Sequence, residues 1–210
     1  MFTGIIQDKG IIRTVTARDN YLAVTIESPL SKEMKDGDSI ACDGVCLTVV
    51  RRTDTGFDVD VSQETLAKTT ASEWKETRRI NLEPALRMGD RFGGHIVTGH
   101  IDCRGKVVGR EMVGESLVLD ISFSDEYAPL VIPKGSIAID GVSLTVNVCS
   151  QSLLSVNLIP FTCENTTLAN LTVGDAVNLE FDMIGKYVVS AVRHKESPAI
   201  TRELLQKSGW

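Results

Sequence analysis

The 210-residue sequence predicts an all-β fold of two tandem, similar, closed Greek-key β-barrels followed by a short C-terminal helix. Three observations support this prediction: one ten-residue motif occurs twice, short segments alternate apolar and polar residues, and Asp-Gly dipeptides separate such segments. Two long, similar halves indicate a duplicated domain, because solenoid repeats are shorter and more numerous. Short antiparallel strands at close spacing favour closed barrels, since closure removes exposed strand edges.

The internal repeat is clearest at residues 40–49, IACDGVCLTV, which recur as IAIDGVSLTV at residues 137–146. The displacement is 97 residues, close to half the chain. Near the start it is 95 residues, where Thr3-Gly4 matches Thr98-Gly99, so we infer a small insertion or deletion in the first loop. The best-matched positions are turns and polar residues, which packing alone does not demand. A shared function is therefore favoured over duplication for stability alone, although a shared fold does not guarantee one.

The repeat divides the chain into three predicted parts. Residues 1–92 form an N-terminal barrel and residues 93–187 a C-terminal barrel, joined by a glycine-rich segment. Residues 188–210 follow the repeat as a helical tail, and Ser197-Pro198 is typical of a helix start. The tail has no core of its own to cover, so we expect it to pack on a neighbouring domain or subunit. Its apolar stripe consists of Ile200, Leu204 and Leu205.

Individual strands are predicted by alternation of apolar and polar residues over Tyr21–Glu27, Phe57–Val61 and Ser116–Phe123. Asp43-Gly44 and Asp140-Gly141 lie between β-prone runs and predict tight hairpin turns. Each half therefore contains antiparallel hairpins.

Two threonine-rich stretches, residues 65–70 and 162–167, leave several interpretations open. Their β-branched residues favour a surface strand, and threonine hydroxyls also form turns with the local backbone. The hydroxyls and main-chain amides are equally suited to holding a polyhydroxylated, uncharged ligand tail.

Composition excludes several classes of protein. The net charge of −6 argues against a nucleic-acid-binding protein, because phosphates demand a basic surface. No apolar run approaches membrane-spanning length, and the N-terminus lacks the pattern of a secretory signal. Five sparsely spread cysteines predict a reducing cytoplasm rather than a disulfide framework. His95, His100 and Cys103 are too few for a structural zinc site, which needs four ligands, so no metal is predicted.

The most informative positions are those where the halves disagree. Cys46 in the first half matches Ser143 in the second, and Ile5 matches His100. A site built from both halves would gain a nucleophilic thiol and an imidazole for proton transfer. Two simpler interpretations remain open, Cys46 as a small buried hydrophobe and His95 as a structural hydrogen-bonding residue. A purely structural double barrel is disfavoured by the differences between the halves.

Four motifs together resemble the riboflavin synthase family: residues 1–6 (MFTGII), residues 93–102 (GGHIVTGHID), the doubled Asp-Gly-Val-x-Leu-Thr-Val strand, and residues 158–162 (LIPFT). The resemblance covers essentially the whole chain. It implies dismutation of two molecules of 6,7-dimethyl-8-ribityllumazine into riboflavin and 5-amino-6-ribitylamino-2,4(1H,3H)-pyrimidinedione by transfer of a four-carbon unit. It also implies that no metal and no organic cofactor takes part.

The resemblance implies two sets of site residues. The catalytic set would be Ser39, Cys46, His100, Asp140 and Asp182. Substrate contacts in the first barrel would be Gly4, Ile5, Ile6, Cys46, Leu47, Thr48, Asp60, Val61, Ser62, Gln63, Glu64 and Thr65. Those in the second barrel would be Gly99, His100, Ile101, Lys134, Ser143, Leu144, Thr145, Ile159, Pro160, Phe161, Thr162, Cys163 and Glu164. The family often has an acidic residue where this chain has Phe161, so we expect the rim of the second pocket to be altered.

The resemblance also implies a homotrimer, in which the productive site lies between the N-terminal barrel of one subunit and the C-terminal barrel of another. We further expect association with lumazine synthase. We expect binding neither to nucleic acid nor to membranes. The alternative function is a non-catalytic relative that binds lumazine or flavin. A flavin-binding reductase is disfavoured, because no βαβ pattern for a nicotinamide half follows the barrels.

Overall fold

The computed structural model describes residues 1–195, and the side chains of residues 1–193. The first half contains six strands and one short α-helix: β1 Asp8–Ala17, β2 Tyr21–Glu27, β3 Ser39–Cys42, β4 Val45–Arg52, β5 Gly56–Ser62, α1 Gln63–Lys68 and β6 Arg79–Pro84. The second half repeats this order and adds a longer helix: β7 Cys103–Val113, β8 Ser116–Ser122, β9 Ser136–Ile139, β10 Val142–Cys149, β11 Leu153–Leu158, α2 Pro160–Asn165, β12 Ala176–Phe181 and α3 Met183–Lys195. Short 3₁₀ turns occur at Pro29–Glu33, Thr70–Glu73, Asp125–Leu130 and Leu168–Asn170.

Each half closes into a six-stranded antiparallel barrel. The first barrel has the strand order β1-β2-β5-β4-β3-β6, and the second has the same cyclic order in β7–β12. The hairpins β3-β4-β5 and the return to β2 give the Greek-key connection. The predicted pair of similar barrels is therefore confirmed.

The strands form because alternate residues are apolar and point into the barrels. In β5, Phe57, Val59 and Val61 are fully buried, whereas Asp60 between them is exposed. Each barrel thus has its own apolar core. The predicted Asp-Gly turns are confirmed as well. Asp43 and Gly44 have φ of 45° and 80°, both positive, as a type I′ hairpin turn requires.

A reciprocal network of buried polar groups joins the two barrels. The Asn81 side chain donates to the Asp140 carbonyl at 3.0 Å, and the Asn178 side chain donates to the Asp43 carbonyl at 2.9 Å. The two Asp-Gly turns meet here, because a Cβ on Gly44 would lie 2.7 Å from the Gly141 nitrogen. Only glycine permits this close approach of two backbones, which fixes how the barrels are placed.

The two threonine-rich stretches form helical turns, so the surface-strand interpretation is wrong. Ser62 caps α1 by accepting from the Thr65 amide at 3.2 Å, and Pro160 occupies the first turn of α2. Hydroxyls then bond back to the preceding turn: Thr69 to the Thr65 carbonyl at 2.7 Å, and Thr166 to the Thr162 carbonyl at 2.8 Å. Such local side-chain bonds compete with strand pairing.

A C-terminal helix follows the second barrel, as the fold prediction requires. This helix, α3, starts at Met183, where Asp182 accepts from the Ile184 amide at 2.9 Å. The helix predicted to begin at Ser197 lies outside the described residues. Ile184, Tyr187, Val188 and Val192 are all more than half exposed and share one face of α3, so this face is an uncovered apolar stripe.

Candidate functional site

The loop that begins each half packs on the barrel of the other half. We call residues 3–6 and 98–101 the exchanged loops. The Cys46 amide in β4 donates to the Gly99 carbonyl at 2.9 Å, and the Ser143 amide in β10 donates to the Gly4 carbonyl at 2.8 Å. Ile101 packs against the core of the first barrel and Ile6 against that of the second. The assignment of each opening segment to its own half's barrel is therefore wrong. Gly99, His100 and Ile101 belong with the first barrel's pocket, and Gly4, Ile5 and Ile6 with the second barrel.

Glycine is required at both exchange points. Gly4 and Gly99 have φ of 76° and 81°, in the left-handed region. A Cβ on Gly99 would lie 2.5 Å from the Cys46 Cβ, and one on Gly4 would lie 2.6 Å from the Ser143 Cβ. Each loop therefore presses its backbone directly onto the strand residue that differs between the halves.

The exchange gathers Cys46 and His100 around one pocket of about 250 Å³. Cys46 is half-buried in the pocket wall, and His100 is exposed on the loop whose Gly99 lies against Cys46. Six predicted residues line this pocket: Cys46, Glu64, Thr65, Gly99, His100 and Ile101. Val45, Lys68 and Thr69 also line it. A thiol and an imidazole from different halves thus face the same space.

Cys46 is held as a neutral thiol. Burial raises the pKa of Cys46, and the Ser39 hydroxyl is among the groups that oppose this shift in part. Ser39 pairs with Thr48 across β3 and β4, two residues along β3 from the Ala41–Cys46 pair, so Ser39 and Ala41 lie on the same face of the sheet. Because the thiol is not ionised by its surroundings, nucleophilic chemistry here needs a base.

The equivalent place in the second barrel has different chemistry. The Ser143 hydroxyl lies 2.7 Å from the His95 Nδ1, and the facing loop presents Ile5 rather than an imidazole. Burial lowers the pKa of His95, while Asp182 opposes this shift. His95 therefore acts here as a neutral hydrogen-bonding residue. Its Nε2 has no hydrogen-bond partner among the described residues.

Two predicted catalytic residues lie apart from the Cys46 pocket. Asp140 is buried between the barrels and accepts from the Asn178 amide at 2.7 Å. Burial, together with the charge of Asp43, raises the pKa of Asp140 well above its usual range. Asp182 begins α3 on the side of His95.

The other predicted contacts divide between core and surface. Leu47 and Val61 point into the first core, whereas Thr48, Asp60, Ser62 and Gln63 are exposed. In the second half, Leu144 and Cys163 pack against the core, and Thr162 is half-buried. The Lys134 amide donates to the Val146 carbonyl at 2.7 Å. Exposed members of the second set are Lys134, Thr145, Ile159, Pro160, Phe161 and Glu164.

The sequence prediction missed two buried glutamates, Glu83 and Glu180. Glu83 accepts from the Thr3 amide and hydroxyl at 2.7 and 2.8 Å. Glu180 accepts from the Thr98 amide and hydroxyl, both at 2.6 Å. The signal in the sequence is the Asn-Leu-Glu motif, which occurs at residues 81–83 and again at residues 178–180. Packing alone would favour an apolar residue at a buried strand position, so a glutamate repeated there indicates a polar partner.

Two further properties concern metals and membranes. Among the described side chains, no three His, Cys, Asp or Glu residues cluster as metal ligands. Over the part of the chain that the structure describes, no helix is both long and apolar enough to cross a membrane.

Comparison with known protein families matches each barrel separately. The model of the lumazine binding domain matches residues 3–85 and again residues 98–182. These two ranges contain the twelve strands of the described residues and both exchanged loops. The repeat inferred from the sequence is thus two copies of one recognised domain.

Curated relatives match along almost the whole chain. Riboflavin synthase of Bacillus subtilis is 36% identical, with all of both chains covered. Riboflavin synthase of Brucella abortus is 39% identical over 93% of this chain and 100% of its own. Riboflavin synthase of Mycobacterium bovis is 41% identical over 92% of this chain and 98% of its own.

Solved structures of a related protein have the same fold with ligands bound. LumP complexed with 6,7-dimethyl-8-(1'-D-ribityl) lumazine is 26% identical, with a TM-score of 0.78 over 86% of this chain and 99% of LumP. LumP complexed with riboflavin gives a TM-score of 0.81 at the same identity and coverage.

Proposed function

The chain belongs to the lumazine-binding domain family, and we propose that it has the riboflavin synthase activity of its relatives. It would convert two molecules of 6,7-dimethyl-8-ribityllumazine into riboflavin and 5-amino-6-ribitylamino-2,4(1H,3H)-pyrimidinedione by transfer of a four-carbon unit. One observation carries this proposal beyond the family match: Cys46 and His100, from different halves, line one pocket. The second barrel has Ser143 and Ile5 instead, so two like ligands would meet unlike surroundings.

The proposed mechanism assigns the proton transfer to His100. One lumazine has an acidic 7-methyl group, and His100 accepts its proton. The other lumazine is activated by nucleophilic addition to its ring, by Cys46, Ser39 or water. The resulting carbanion attacks the activated ring to form one carbon–carbon bond, and a second carbon–carbon bond forms as the added nucleophile leaves. Cleavage of the two carbon–nitrogen bonds of the donor then transfers its four-carbon unit and releases the pyrimidinedione. Holding two flat rings face to face would contribute roughly 7–11 kcal/mol through proximity and orientation.

The remaining predicted residues take supporting roles in this proposal. Side-chain hydroxyls and main-chain amides of residues 60–65 and 159–164 would hold the ribityl chain at the rim of each barrel. Phe161 replaces the carboxylate that Glu64 supplies in the first half, so the second rim is more apolar. Asp140 and Asp182 stay in the proposed catalytic set on the strength of the family resemblance alone.

The decisive experiment is incubation of the purified protein with 6,7-dimethyl-8-ribityllumazine alone. We expect riboflavin absorbance to appear without added metal or cofactor. Cys46→Ala should lower the rate while fluorescence titration with the lumazine still reports binding. Binding without any riboflavin would instead establish the alternative, a lumazine-binding protein such as LumP. Full activity of Cys46→Ala would contradict the role of the thiol.

We propose a homotrimer in which the Cys46 pocket of one subunit faces the Ser143 region of another. The uncovered apolar face of α3, formed by Ile184, Tyr187, Val188 and Val192, supports subunit contact. Light scattering should report three times the monomer mass. Replacing Val188 and Val192 with glutamate should reduce the mass to that of one chain, and an unchanged mass would contradict this contact.

A cytoplasmic location and association with lumazine synthase complete the proposal. Five free cysteines, four of them partly exposed, fit a reducing compartment. Fractionation of cells and copurification of the two enzymes would test these two expectations separately.

A further inference from the structure

Both barrels hold an exchanged loop with the same carboxylate clamp. Glu180 of β12 is only 2% exposed, and one of its oxygens accepts two hydrogen bonds from Thr98. Its other oxygen accepts from the Gly99 amide at 2.9 Å. In the first half, Glu83 of β6 bonds Thr3 and the Gly4 amide in the same manner, the latter at 2.9 Å.

The loops that the two carboxylates hold carry and contact different residues. From Glu180 the connection runs through Gly99, whose carbonyl accepts from the Cys46 amide, and the next residue is His100. The His100 amide also donates to the Thr98 hydroxyl at 3.3 Å. From Glu83 the same connection runs through Gly4 to Ser143, and the next residue is Ile5.

We propose that Glu180 is a positioning residue: its carboxylate clamps the Thr98-Gly99 loop and thereby holds His100 at the Cys46 pocket. Its catalytic consequence rests on the proposed function, whereas the clamp itself can be tested without turnover. Three hydrogen bonds to one buried carboxylate are charge-assisted, and such bonds are roughly twice as strong as neutral ones. The same geometry at Glu83 secures a loop without an imidazole, so it supplies the matched control.

Substitution by glutamine breaks the clamp at a defined atom. Glu180→Gln keeps an oxygen for Thr98 but turns an amide NH₂ toward the Gly99 N–H, so two donors face each other. Thr98→Val removes only the hydroxyl bonds and leaves the buried charge in place. Glu83→Gln and Thr3→Val make the identical changes in the other clamp.

The test measures the rate at which iodoacetamide alkylates Cys46, quantified on the Cys46 peptide by mass spectrometry. We expect Glu180→Gln to raise this rate about tenfold, because losing a hydrogen bond to a charged group frees the loop that lies against Cys46. Thr98→Val should raise it about three- to tenfold. Glu83→Gln and Thr3→Val should leave it within about twofold, since they release the loop at Ser143.

Each alternative outcome overturns the inference. Acceleration by Glu180→Gln but not by Thr98→Val would mean that the lost charge, not the loop, governs the thiol. Equal acceleration by Glu83→Gln would mean general loosening of the inter-barrel contact. If Glu180→Gln does not fold, the comparison of Thr98→Val with Thr3→Val decides alone, because both keep the buried carboxylates.

Turnover supplies a second readout through a double-mutant cycle. Glu180→Gln should lower kcat in the wild type but have little further effect in His100→Ala, since Glu180 acts through the imidazole. Glu83→Gln should have the same effect in both backgrounds. Additive losses for Glu180 and His100 would contradict the positioning role. Absence of any riboflavin in the wild type would refute the proposed function and leave the alkylation result standing.

Discussion

The two exchanged loops are alike in backbone and unlike in chemistry. Gly4 and Gly99 adopt the same left-handed conformation, and each lies against the matching strand residue of the opposite barrel. Yet one loop brings His100 to Cys46, whereas the other brings Ile5 toward Ser143, whose hydroxyl is bonded to His95. Duplication thus provides two equivalent backbones, and the differences between Cys46 and Ser143 and between His100 and Ile5 make the two sites chemically unequal. Donor and acceptor roles for identical ligands require this inequality.

The largest effect is expected where the shared backbone is disturbed. Gly99→Ala would strain a residue with φ of 81° and place a Cβ 2.5 Å from the Cys46 Cβ. Left-handed strain of about 1–2 kcal/mol and overpacking of about 1–3 kcal/mol should both lower the free energy of unfolding. Urea unfolding measures this loss. Gly37→Ala is the control, because its φ is 91° but nothing lies within 4 Å of the added Cβ. Equal losses in the two variants would contradict the close contact.

A large effect on turnover is expected from removing the imidazole alone. His100→Ala should lower kcat about 10²-fold or more, the usual contribution of a general base. Ile5→Ala, the matched change in the other loop, should affect mainly KM, because Ile5 supplies apolar surface only. Steady-state kinetics of riboflavin formation check both values. Similar kcat values for both variants would mean that the loops are functionally equivalent.

The smallest effect concerns the two buried carboxylates that relate the halves. Burial raises the pKa of Asp43 to about 6, although Arg78 opposes this shift, and burial also raises the pKa of Asp140 well above its usual range. The folded state therefore binds protons more tightly than the unfolded state, in which an aspartate has a pKa of about 3.9. The contribution of this proton binding to the free energy of unfolding is therefore fully present below about pH 4, and it is lost as the pH rises through about 6.

Asp43→Asn has no proton to lose at this site. Its stability relative to wild type should therefore improve by roughly 1–3 kcal/mol between pH 4.5 and pH 7. Urea unfolding at both pH values measures the change, and Asp19→Asn, an exposed aspartate, is the control. A difference between Asp43→Asn and wild type that does not vary with pH would contradict the raised pKa.

Much of the fold could be predicted because its signals are local. Alternation in Tyr21–Glu27 coincides with β2, and the Asp43-Gly44 turn follows from the positive φ that such a hairpin needs. The helices are harder to predict than the strands. Ser62 and Pro160 were available as helix-start signals, but the threonines beside them also favour strands. The predicted end of the second barrel at Tyr187 lies inside α3, which starts at Met183.

The exchange of the loops could not be predicted from the sequence. A repeat relates Gly4 to Gly99 and Cys46 to Ser143, but it does not specify which loop packs on which strand. That choice depends on how the barrels meet, through contacts between residues distant in sequence, such as Phe2 with Val97 and Gly44 with Gly141. The sequence predicted that Cys46 and His100 would act together, and the exchange is what places them at one pocket.

The most direct test of this inequality moves the imidazole from one loop to the other. The double variant Ile5→His with His100→Ile contains the same side chains as the wild type, but the exchanged loop at the Cys46 pocket no longer carries a histidine. We predict that fluorescence titration still reports lumazine binding, whereas riboflavin formation falls as far as in His100→Ile alone. Restoration of the wild-type rate by the added Ile5→His change would contradict the account, because either barrel could then carry the proton transfer.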